Sequence, residues 1–245
     1  MAEAAARVVV LSGAGMSAES GLSTFRDPNT GLWERFRAEE LATPEAWEAD
    51  PSLVWAWYLW RFERIHLVQP NAGHTAIGEW GRLGLADLTV VTQNVDDLHE
   101  RGGAPVVHHL HGLIRDFRCS ECGYPHADAV AVPSTPVERI PPPACVACFG
   151  LVRPGVVWFG EMLPDDPWAR AVDACDRADL VLVVGTSGLV YPAAGLPAVA
   201  RASGAFVAEI NPLESGVSDM AHLCWRETAA RALPALVAAI GPDTL

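Results

Sequence analysis

The chain has 245 residues, half of them hydrophobic, and its 30 acidic and 17 basic side chains give a net charge of −13. This length is enough for one sizeable core with a small additional module, and the negative charge disfavours a protein that binds nucleic acid through its phosphates. No apolar run approaches the roughly 20 residues of a membrane helix, and the first residues lack the apolar segment of a signal peptide. We therefore expect a cytoplasmic protein with no nucleic acid and no membrane among its partners.

Short apolar runs recur along the chain, and each is followed by a loop with polar or glycine residues. They cover residues 8–11, 88–92, 106–110, 180–184 and 205–210. Near-continuous apolar strands separated by helical segments are typical of a parallel sheet that is covered on both faces. The sequence therefore predicts an α/β fold with a doubly wound, Rossmann-like sheet.

The first of these strands runs into Gly13, Ala14 and Gly15, with Ala18 three places further on. A strand, a glycine turn and a helix form a dinucleotide site, and on its own this pattern also fits a hydride-transferring dehydrogenase. A dehydrogenase carries an acidic residue at the end of a second strand, about 20 positions beyond the glycines. A loop and a tryptophan-rich segment occur there instead, which counts against that class.

Two segments interrupt the rhythm of strands and helices. Residues 30–69 are rich in tryptophan with helical periodicity, and residues 116–148 combine closely spaced prolines with two Cys-x-x-Cys pairs. We predict that they form a small domain, a helical part with a loop-rich metal-binding part. The remaining residues, 1–29, 70–115 and 149–245, form the nucleotide-binding domain.

The two cysteine pairs, separated by 22 residues, indicate a metal site. Paired Cys-x-x-Cys motifs in a chain without a secretory signal favour zinc over disulfides. Four thiolates fill a tetrahedral shell and leave no position for water, so the predicted zinc is structural. Its ligands are Cys119, Cys122, Cys145 and Cys148, while Cys175 and Cys224 are interpreted as structural thiols.

Polar residues follow the predicted strands at their carboxyl ends, where open parallel sheets bind ligands. The motifs there and in the two other segments read GAGMSAESGLSTFRD, TQNVDDLH, LHG, the paired Cys-x-x-Cys, VVWFGE, VGTS and INP. In this order, and over nearly the whole chain, they resemble the sirtuin family of NAD-dependent protein deacylases. The resemblance implies that NAD is consumed as a substrate, with nicotinamide and O-acyl-ADP-ribose as products, and that acyl-lysine proteins or peptides are the partners.

The resemblance also implies roles for individual residues. His111 is the general base that activates a ribose hydroxyl, which suits the ordinary pKa of histidine, and Asn94 and Asp96 hold the nicotinamide half of NAD. The other residues implied to bind NAD are Gly13, Ala14, Gly15, Ser17, Phe25, Arg26, Asp27, Gln93, Val95, Gly185, Thr186, Ser187, Asn211, Pro212, Leu213 and Ala229. The chain departs from the family at Glu227, where relatives often have glycine, and this weakens the role of Ala229. His108 and His109 receive no catalytic role.

The resemblance places the substrate peptide as an added strand between two segments, so that backbone is recognised more than side chains. These segments are residues 159–161, which are Phe159, Gly160 and Glu161, and residues 188–190, which are Gly188, Leu189 and Val190. The carbonyl of Val157 is implied to accept the N–H of the acyl-lysine.

Two residues of the tryptophan-rich segment point to the acyl group. Tyr58 and Arg61 are three positions apart on a predicted helix and share a face, and a guanidinium with a phenol suits a carboxylate. This resembles the sirtuins that remove succinyl, malonyl or glutaryl groups, and the small Ala42 matches their open pocket. The alternative is that Arg61 pairs with a surface carboxylate, Glu63 or Glu45, and that Tyr58 belongs to the core.

Two other functions stay open at this stage. One is transfer of ADP-ribose to a protein side chain, which a pocket for an acyl group disfavours. The other is a non-enzymatic NAD-sensing module, which the presence of His111, Asn94 and Asp96 disfavours. We expect some deacetylase activity beside the removal of acidic acyl groups, and a monomeric protein.

Overall fold

The computed structural model describes residues 5–23 and 31–241. Its strands are β1 (Arg7–Ser12), β2 (Asp87–Thr92), β3 (Val107–His109), β4 (Gly112–Cys119), β5 (Val152–Val156), β6 (Leu180–Val184), β7 (Phe206–Ile210) and β8 (Leu223–Trp225). Its α-helices are α1 (Ala38–Leu41), α2 (Pro44–Ala49), α3 (Pro51–Leu67), α4 (Ala72–Leu83), α5 (Leu98–Arg101), α6 (Asp165–Arg177), α7 (Leu196–Ala202) and α8 (Ala229–Ile240). Short 3-10 turns lie at Ala14–Met16, Ala18–Ser20, Gly31–Trp33, Ala193–Gly195 and Ser218–Met220.

Six strands form one parallel sheet in the order β3-β2-β1-β6-β7-β8. The chain winds outward from β1 in one direction and then outward from β6 in the other, so the order reverses between these two neighbours. Ligands bind at the carboxyl ends of the strands where the order reverses. The predicted α/β, doubly wound, Rossmann-like fold is confirmed, and the reversal lies directly beside Gly13 and Gly15.

The two faces of this sheet are covered by different helices. Val8 and Val10 pack into one apolar cluster with residues of α4 and α8, whereas Val9 and Leu11 pack into another with residues of α6 and α7. Successive side chains of a strand point to opposite faces, so a strand that is buried on both faces must be apolar at every position. This is why the sheet strands read as continuous apolar runs.

A third apolar cluster lies around α3 and contains Trp55, Tyr58, Ile114 and Trp158. The helix begins where Asp50 accepts a hydrogen bond from the N–H of Leu53 at 3.0 Å, with a proline in its first turn. An acceptor at this position satisfies one of the free N–H groups at a helix start. The tryptophan-rich segment is therefore a helix that builds its own core against β4 and β5.

Three strands were not among the predicted ones. β4 and β5 pair antiparallel in a separate two-stranded sheet, and β8 forms one edge of the large sheet. β4 carries charged residues on its exposed positions and β5 contains a proline and a glycine, so neither shows the apolar run that marks the parallel strands. β4 also spans the predicted domain boundary at residue 115. Residues 120–151, between these strands, contain no helix, as their prolines predict.

No helix in the described ranges combines the length and the hydropathy that crossing a bilayer requires.

The loop after β1 and the loop after β6 touch backbone to backbone. The N–H of Gly15 donates to the carbonyl of Gly185 at 2.8 Å, and a Cβ on Gly15 would lie 2.7 Å from that same oxygen. Gly185 itself has a φ of +57°, a conformation that glycine adopts without strain. Gly15 and Gly185 are therefore required for the close contact between the loops after β1 and β6.

We predict that Gly15→Ala lowers the free energy of unfolding by about 1–3 kcal/mol, because an added methyl group would displace packed backbone. Gly195→Ala is the matched control, since the nearest atom to its Cβ is 4.0 Å away. Urea unfolding followed by circular dichroism measures both variants. Equal stabilities for the two would contradict the contact.

Candidate active site

The loops after β1, β2 and β6 meet at the edge of the sheet where the strand order reverses. The N–H of Gly13 donates to the carbonyl of Val184 at 3.0 Å, and a Cβ on Gly13 would lie 2.7 Å from the Cβ of Thr186. The side chain of Gln93 donates to the hydroxyl of Thr186 at 3.1 Å. The structure therefore brings together the predicted nucleotide residues of these three loops. Phe25, Arg26 and Asp27 lie outside the described residues.

Ser17, Asn94 and Asp96 form one buried hydrogen-bonded group. The Ser17 hydroxyl donates to the Asp96 carboxylate at 2.9 Å and accepts from the Asn94 amide at 3.1 Å. Burial raises the pKa of Asp96, while the N–H of Leu98 and the hydroxyl of Ser17 act in the opposite direction. The Asn94 amide and the Asp96 carboxylate are thus held next to each other in fixed orientations. Polar groups that are fixed in this way can recognise hydroxyl and amide groups of a ligand.

His111 lies in the turn between β3 and β4 and is half-buried. Its Nδ1 is 2.9 Å from the carbonyl oxygen of Gln93. A carbonyl only accepts, so Nδ1 carries the proton and donates, and the lone pair of a neutral ring is on Nε2. Burial lowers the pKa of His111, and the hydrogen bond to Gln93 opposes this effect. The ring is therefore held in the form that can take a proton through Nε2.

The predicted adenosine residues lie beside the ends of β6 and β7. The side chain of Asn211 donates to the carbonyl of Thr186 at 2.8 Å, which connects the loops after β6 and β7. The backbone carbonyl of Ser187 accepts from the N–H of Gly216 at 2.9 Å. Leu213 is exposed, and Ala229 is buried at the start of α8. The other members of this set are Gly185 and Pro212.

The carboxylate of Glu209 was missed by the sequence interpretation. It is fully buried on β7 and accepts hydrogen bonds from Ser218 at 2.7 Å and Arg226 at 2.6 Å, and from Ser215. Burial raises the pKa of this carboxyl, and the three hydrogen bonds and the Arg226 charge outweigh burial, so the net shift is downward. Glu209 therefore anchors the loop that follows Asn211. A charged residue within an apolar strand is the signal that could have identified it.

Of the two predicted peptide-binding segments, the one at residues 159–161 follows a residue that contacts His111. The N–H of Val157 donates to the carbonyl of His111 at 2.9 Å, and the N–H of Phe159 donates to the carbonyl of Ala42 at 2.9 Å. Gly160 has a φ of +90°. In the second segment, Gly188 packs against Val217, Leu189 is exposed, and the carbonyl of Val190 accepts from the N–H of Ala194.

The carboxylate of Glu161 is hydrogen-bonded to residues of the protein itself. It accepts hydrogen bonds from Arg153 at 2.5 and 2.9 Å and from the N–H of Trp158 at 2.8 Å, and the Arg153 guanidinium lies 3.3 Å from the ring centre of Trp158. Burial raises the pKa of Glu161, but its bonds to Arg153 and Trp158 lower it overall. Glu161 thus braces the turn through Arg153, a residue that the sequence interpretation did not select.

Tyr58 of α3 contacts this turn, and Arg61 lies three residues further along the same helix. The indole N–H of Trp158 donates to the Tyr58 hydroxyl at 3.1 Å, and burial raises the pKa of Tyr58 to about 12, with the charge of Arg61 acting in the opposite direction. The Arg61 guanidinium lies 4.9 Å from the ring centre of Trp57. Burial lowers the pKa of Arg61, while the neighbouring Tyr58 and Asp96 raise it.

The four predicted zinc ligands converge. Their sulfur atoms all lie within 4.8 Å of one another, and three of the separations are 3.4, 3.4 and 3.8 Å. Four Zn–S bonds of about 2.3 Å at tetrahedral angles give sulfur separations of about 3.8 Å. Backbone N–H groups of Glu121 and Ala147 also donate to two of the sulfurs. The residues therefore fit a structural zinc with a closed shell.

Comparisons with known proteins agree with this geometry. The sequence model described as the Sir2 family matches residues 13–192. A protein of Mycobacterium tuberculosis (strain H37Rv) named NAD-dependent protein deacylase is 52% identical over 231 residues, covering 94% of this chain and 96% of the relative. One named NAD-dependent protein deacylase Sir2, from Mycolicibacterium smegmatis, is 51% identical and covers 94% and 95%.

Solved structures give the same result. A Sir2 homologue in complex with NAD superimposes with a TM-score of 0.91 at 44% identity, covering 99% of this chain and 92% of that one. A complex described as Sir2, p53 peptide and NAD+ has a TM-score of 0.77 at 28% identity, covering 96% and 93%. This chain is thus similar over nearly its full length to proteins that hold NAD and a peptide.

We predict one zinc ion per chain, measured by atomic emission on the purified protein. Cys145→Ser lowers the zinc content well below one and lowers the thermal midpoint, because binding energy at a structural zinc site is folding energy. Cys224→Ser is the control, since Cys224 lies on β8 outside the cluster. Full zinc content in Cys145→Ser would contradict the assignment of the ligands.

Proposed function

The chain belongs to the Sir2 family and is an NAD-dependent protein deacylase, and from this premise we propose that it prefers lysines whose acyl group ends in a carboxylate, such as succinyl-lysine and malonyl-lysine. The observation that carries the proposal is the pair formed on α3 by the buried Tyr58 and the half-buried Arg61. NAD supplies the ribose carbon from which nicotinamide leaves, and the roles of the chain's own residues follow from their contacts.

The position of Tyr58 relative to His111 supports the proposal. The Tyr58 hydroxyl accepts a hydrogen bond from Trp158, and the preceding residue, Val157, donates through its N–H to the carbonyl of His111. Ala42 joins the same apolar cluster as Tyr58, and its carbonyl is bonded to the N–H of Phe159. An acyl chain that passes His111 beside Val157 would end near this phenol and the methyl group of Ala42.

The charge of Arg61 also supports the proposal. Removing a cation from water is costly, and burial lowers the pKa of Arg61 for this reason. A carboxylate brought in by the substrate would offset this cost with two charge-assisted hydrogen bonds. A neutral acetyl group would offer no such compensation, so Arg61 distinguishes acidic from neutral acyl groups.

Tyr58 complements Arg61 as a donor. With a pKa of about 12, its hydroxyl is protonated at neutral pH. The oxygen already accepts from Trp158, so its own proton is directed to an acceptor such as the substrate carboxylate. The hydrogen bond from Trp158 therefore fixes the hydroxyl in the orientation that binding requires.

For the reaction itself, we propose that Nε2 of His111 takes the proton of a ribose hydroxyl and that Asn94 and Asp96 orient the nicotinamide half of NAD. The hydrogen bond from Nδ1 to Gln93 supports the role of His111, because it holds the ring in the required tautomer. The bonds to Ser17 support the roles of the other two, since they fix both side chains before NAD binds.

We predict that Arg61→Met lowers kcat/KM for a succinyl-lysine peptide by about two orders of magnitude and changes kcat/KM for the acetyl-lysine peptide of the same sequence by less than about threefold. Truncating one partner of a buried charge pair costs about 2–5 kcal/mol, and a tenfold change corresponds to about 1.4 kcal/mol. Nicotinamide release measures both activities.

Arg64→Met is the matched control, because Arg64 lies one turn further along α3, is exposed and also stacks on a tryptophan. It should leave both activities unchanged. Equal losses of desuccinylation and deacetylation in Arg61→Met would show that Arg61 supports the fold instead of reading the acyl group.

We predict that kcat/KM of the wild type rises with pH through a pKa below 6.5, the ordinary value for histidine. His111 must be neutral to accept a proton, and burial lowers its pKa, so the base is already active in mildly acidic solution. His111→Asn should abolish deacylation, while His66→Asn, on the exposed end of α3, should not. An acid limb at or above pH 6.5 would contradict this environment of His111.

A further inference from the structure

His109, at the end of β3, contacts both the loop that contains Asn94 and the helix α5. Its side chain is only 9% exposed. One ring nitrogen, Nδ1, lies 3.1 Å from the carbonyl oxygen of Asn94, and the other, Nε2, lies 2.7 Å from Oε1 of Glu100 on α5. Asn94 belongs to the loop implied to hold the nicotinamide half of NAD, and His109 has no role in the reaction as described so far.

The two partners of His109 determine its protonation. A backbone carbonyl and a carboxylate both accept hydrogen bonds and have no proton to give. Both ring nitrogens must therefore carry a hydrogen, which makes the ring an imidazolium cation. The other oxygen of Glu100, Oε2, is buried and has no hydrogen-bond partner among the described residues.

We propose that His109 is a positioning residue for the deacylation reaction: as a cation paired with Glu100, it clamps the carbonyl of Asn94 and so fixes the side chains of Asn94 and Asp96. The proposal rests on the deacylase activity and not on the preference for acidic acyl groups. The site would then contain two histidines, His109 as a cation and His111 as a neutral ring.

The surrounding charges favour this state. Burial lowers the pKa of His109, but the hydrogen bond and charge of Glu100, followed by the Asn94 carbonyl and the charge of Asp96, outweigh burial and raise it above its ordinary value. The pKa of Glu100 is lowered: burial raises it, and the hydrogen bond and charge of His109, with Arg115 of β4, outweigh that effect. His99 and His108 also face His109, and its charge helps to lower the pKa of each of them.

The sign of the pH effect follows from the raised pKa. Below it the ring is charged and both hydrogen bonds are intact, and as pH rises through it Nε2 loses its proton. The lone pair of Nε2 then faces the Glu100 carboxylate, and the two repel each other. The clamp is therefore present at neutral pH and is lost on the alkaline side, where activity should fall.

The first experiment compares pH profiles of kcat/KM for three proteins on the acyl peptide that the wild type uses best. The wild type should show an alkaline limb with a pKa above 6.5. In Glu100→Gln that limb should disappear, because an amide can donate to a neutral ring or accept from a charged one. His108→Gln, on the neighbouring residue, should keep the activity and the limb of the wild type.

The second experiment measures the protonation of His109 directly, by NMR titration of the histidine ring carbons and nitrogens in the wild type. The resonance that moves in Glu100→Gln is assigned to His109, and its pKa in the wild type should exceed 6.5 and should fall in the variant. This measurement needs no catalysis and requires only that the variant folds.

The third measurement tests the effect on the loop. His109→Gln can donate to one of the two acceptors but not to both, so we expect kcat/KM to fall by about tenfold or more, because small misplacements of catalytic groups cost large factors in rate. KM for NAD should rise and kcat should fall, and the decrease in kcat/KM should be equal for acetyl and succinyl peptides. A loss confined to one acyl group would instead concern the acyl pocket.

Three results would overturn the proposal. The first is a His109 pKa at or below 6.5 in the wild type, and the second is an alkaline limb that persists unchanged in Glu100→Gln. The third is a loss of activity in His109→Gln that is confined to one acyl group. If the preference for acidic acyl groups proved wrong, the expected results of all three measurements would stay the same.

Discussion

The site depends on how one loop is held by the segment that follows it. The carbonyls of residues 92–95 all accept hydrogen bonds from residues 109–114 at 2.9–3.1 Å. Two donors are backbone N–H groups, and two are the imidazoles of His109 and His111. A loop whose carbonyls are all satisfied in this way cannot move without losing several bonds at once. The proposed catalytic base and the side chains proposed to orient NAD therefore belong to one rigid hydrogen-bonded unit.

A second group of hydrogen bonds connects the loop at residues 92–95 to the core of the sheet. The Ser12 hydroxyl at the end of β1 donates to the Thr92 hydroxyl at 2.9 Å and lies 2.8 Å from Nε2 of His99, and the Thr92 hydroxyl also accepts from the N–H of Asn94 at 3.0 Å. Burial lowers the pKa of His99 well below its ordinary value. The neutral His99 is structural, and the network connects the core of the sheet to the residues proposed to bind NAD.

Much of this protein follows from the sequence alone, for two reasons. Runs of apolar residues mark strands of a covered parallel sheet, so the five strands within residues 8–11, 88–92, 106–110, 180–184 and 205–210 could be predicted. The other three could not, because β4 carries charged residues, β5 contains an arginine, a proline and a glycine, and β8 has only three residues. Metal ligands require particular elements at fixed spacing, so the zinc cysteines were evident. Motifs near the strand ends likewise identified the residues that the fold collects at one edge of the sheet.

What the sequence determined, then, was which groups are present and on which local element each one stands. Only the tertiary structure decided the state of each group, because hydrogen-bond partners and burial arise from residues distant in the chain. His109 and His111 are two positions apart and both contact carbonyls of the same loop, yet the pKa is raised for His109 and lowered for His111. The difference is Glu100, a carboxylate that reaches one ring and not the other, and this contact exists only in the folded chain.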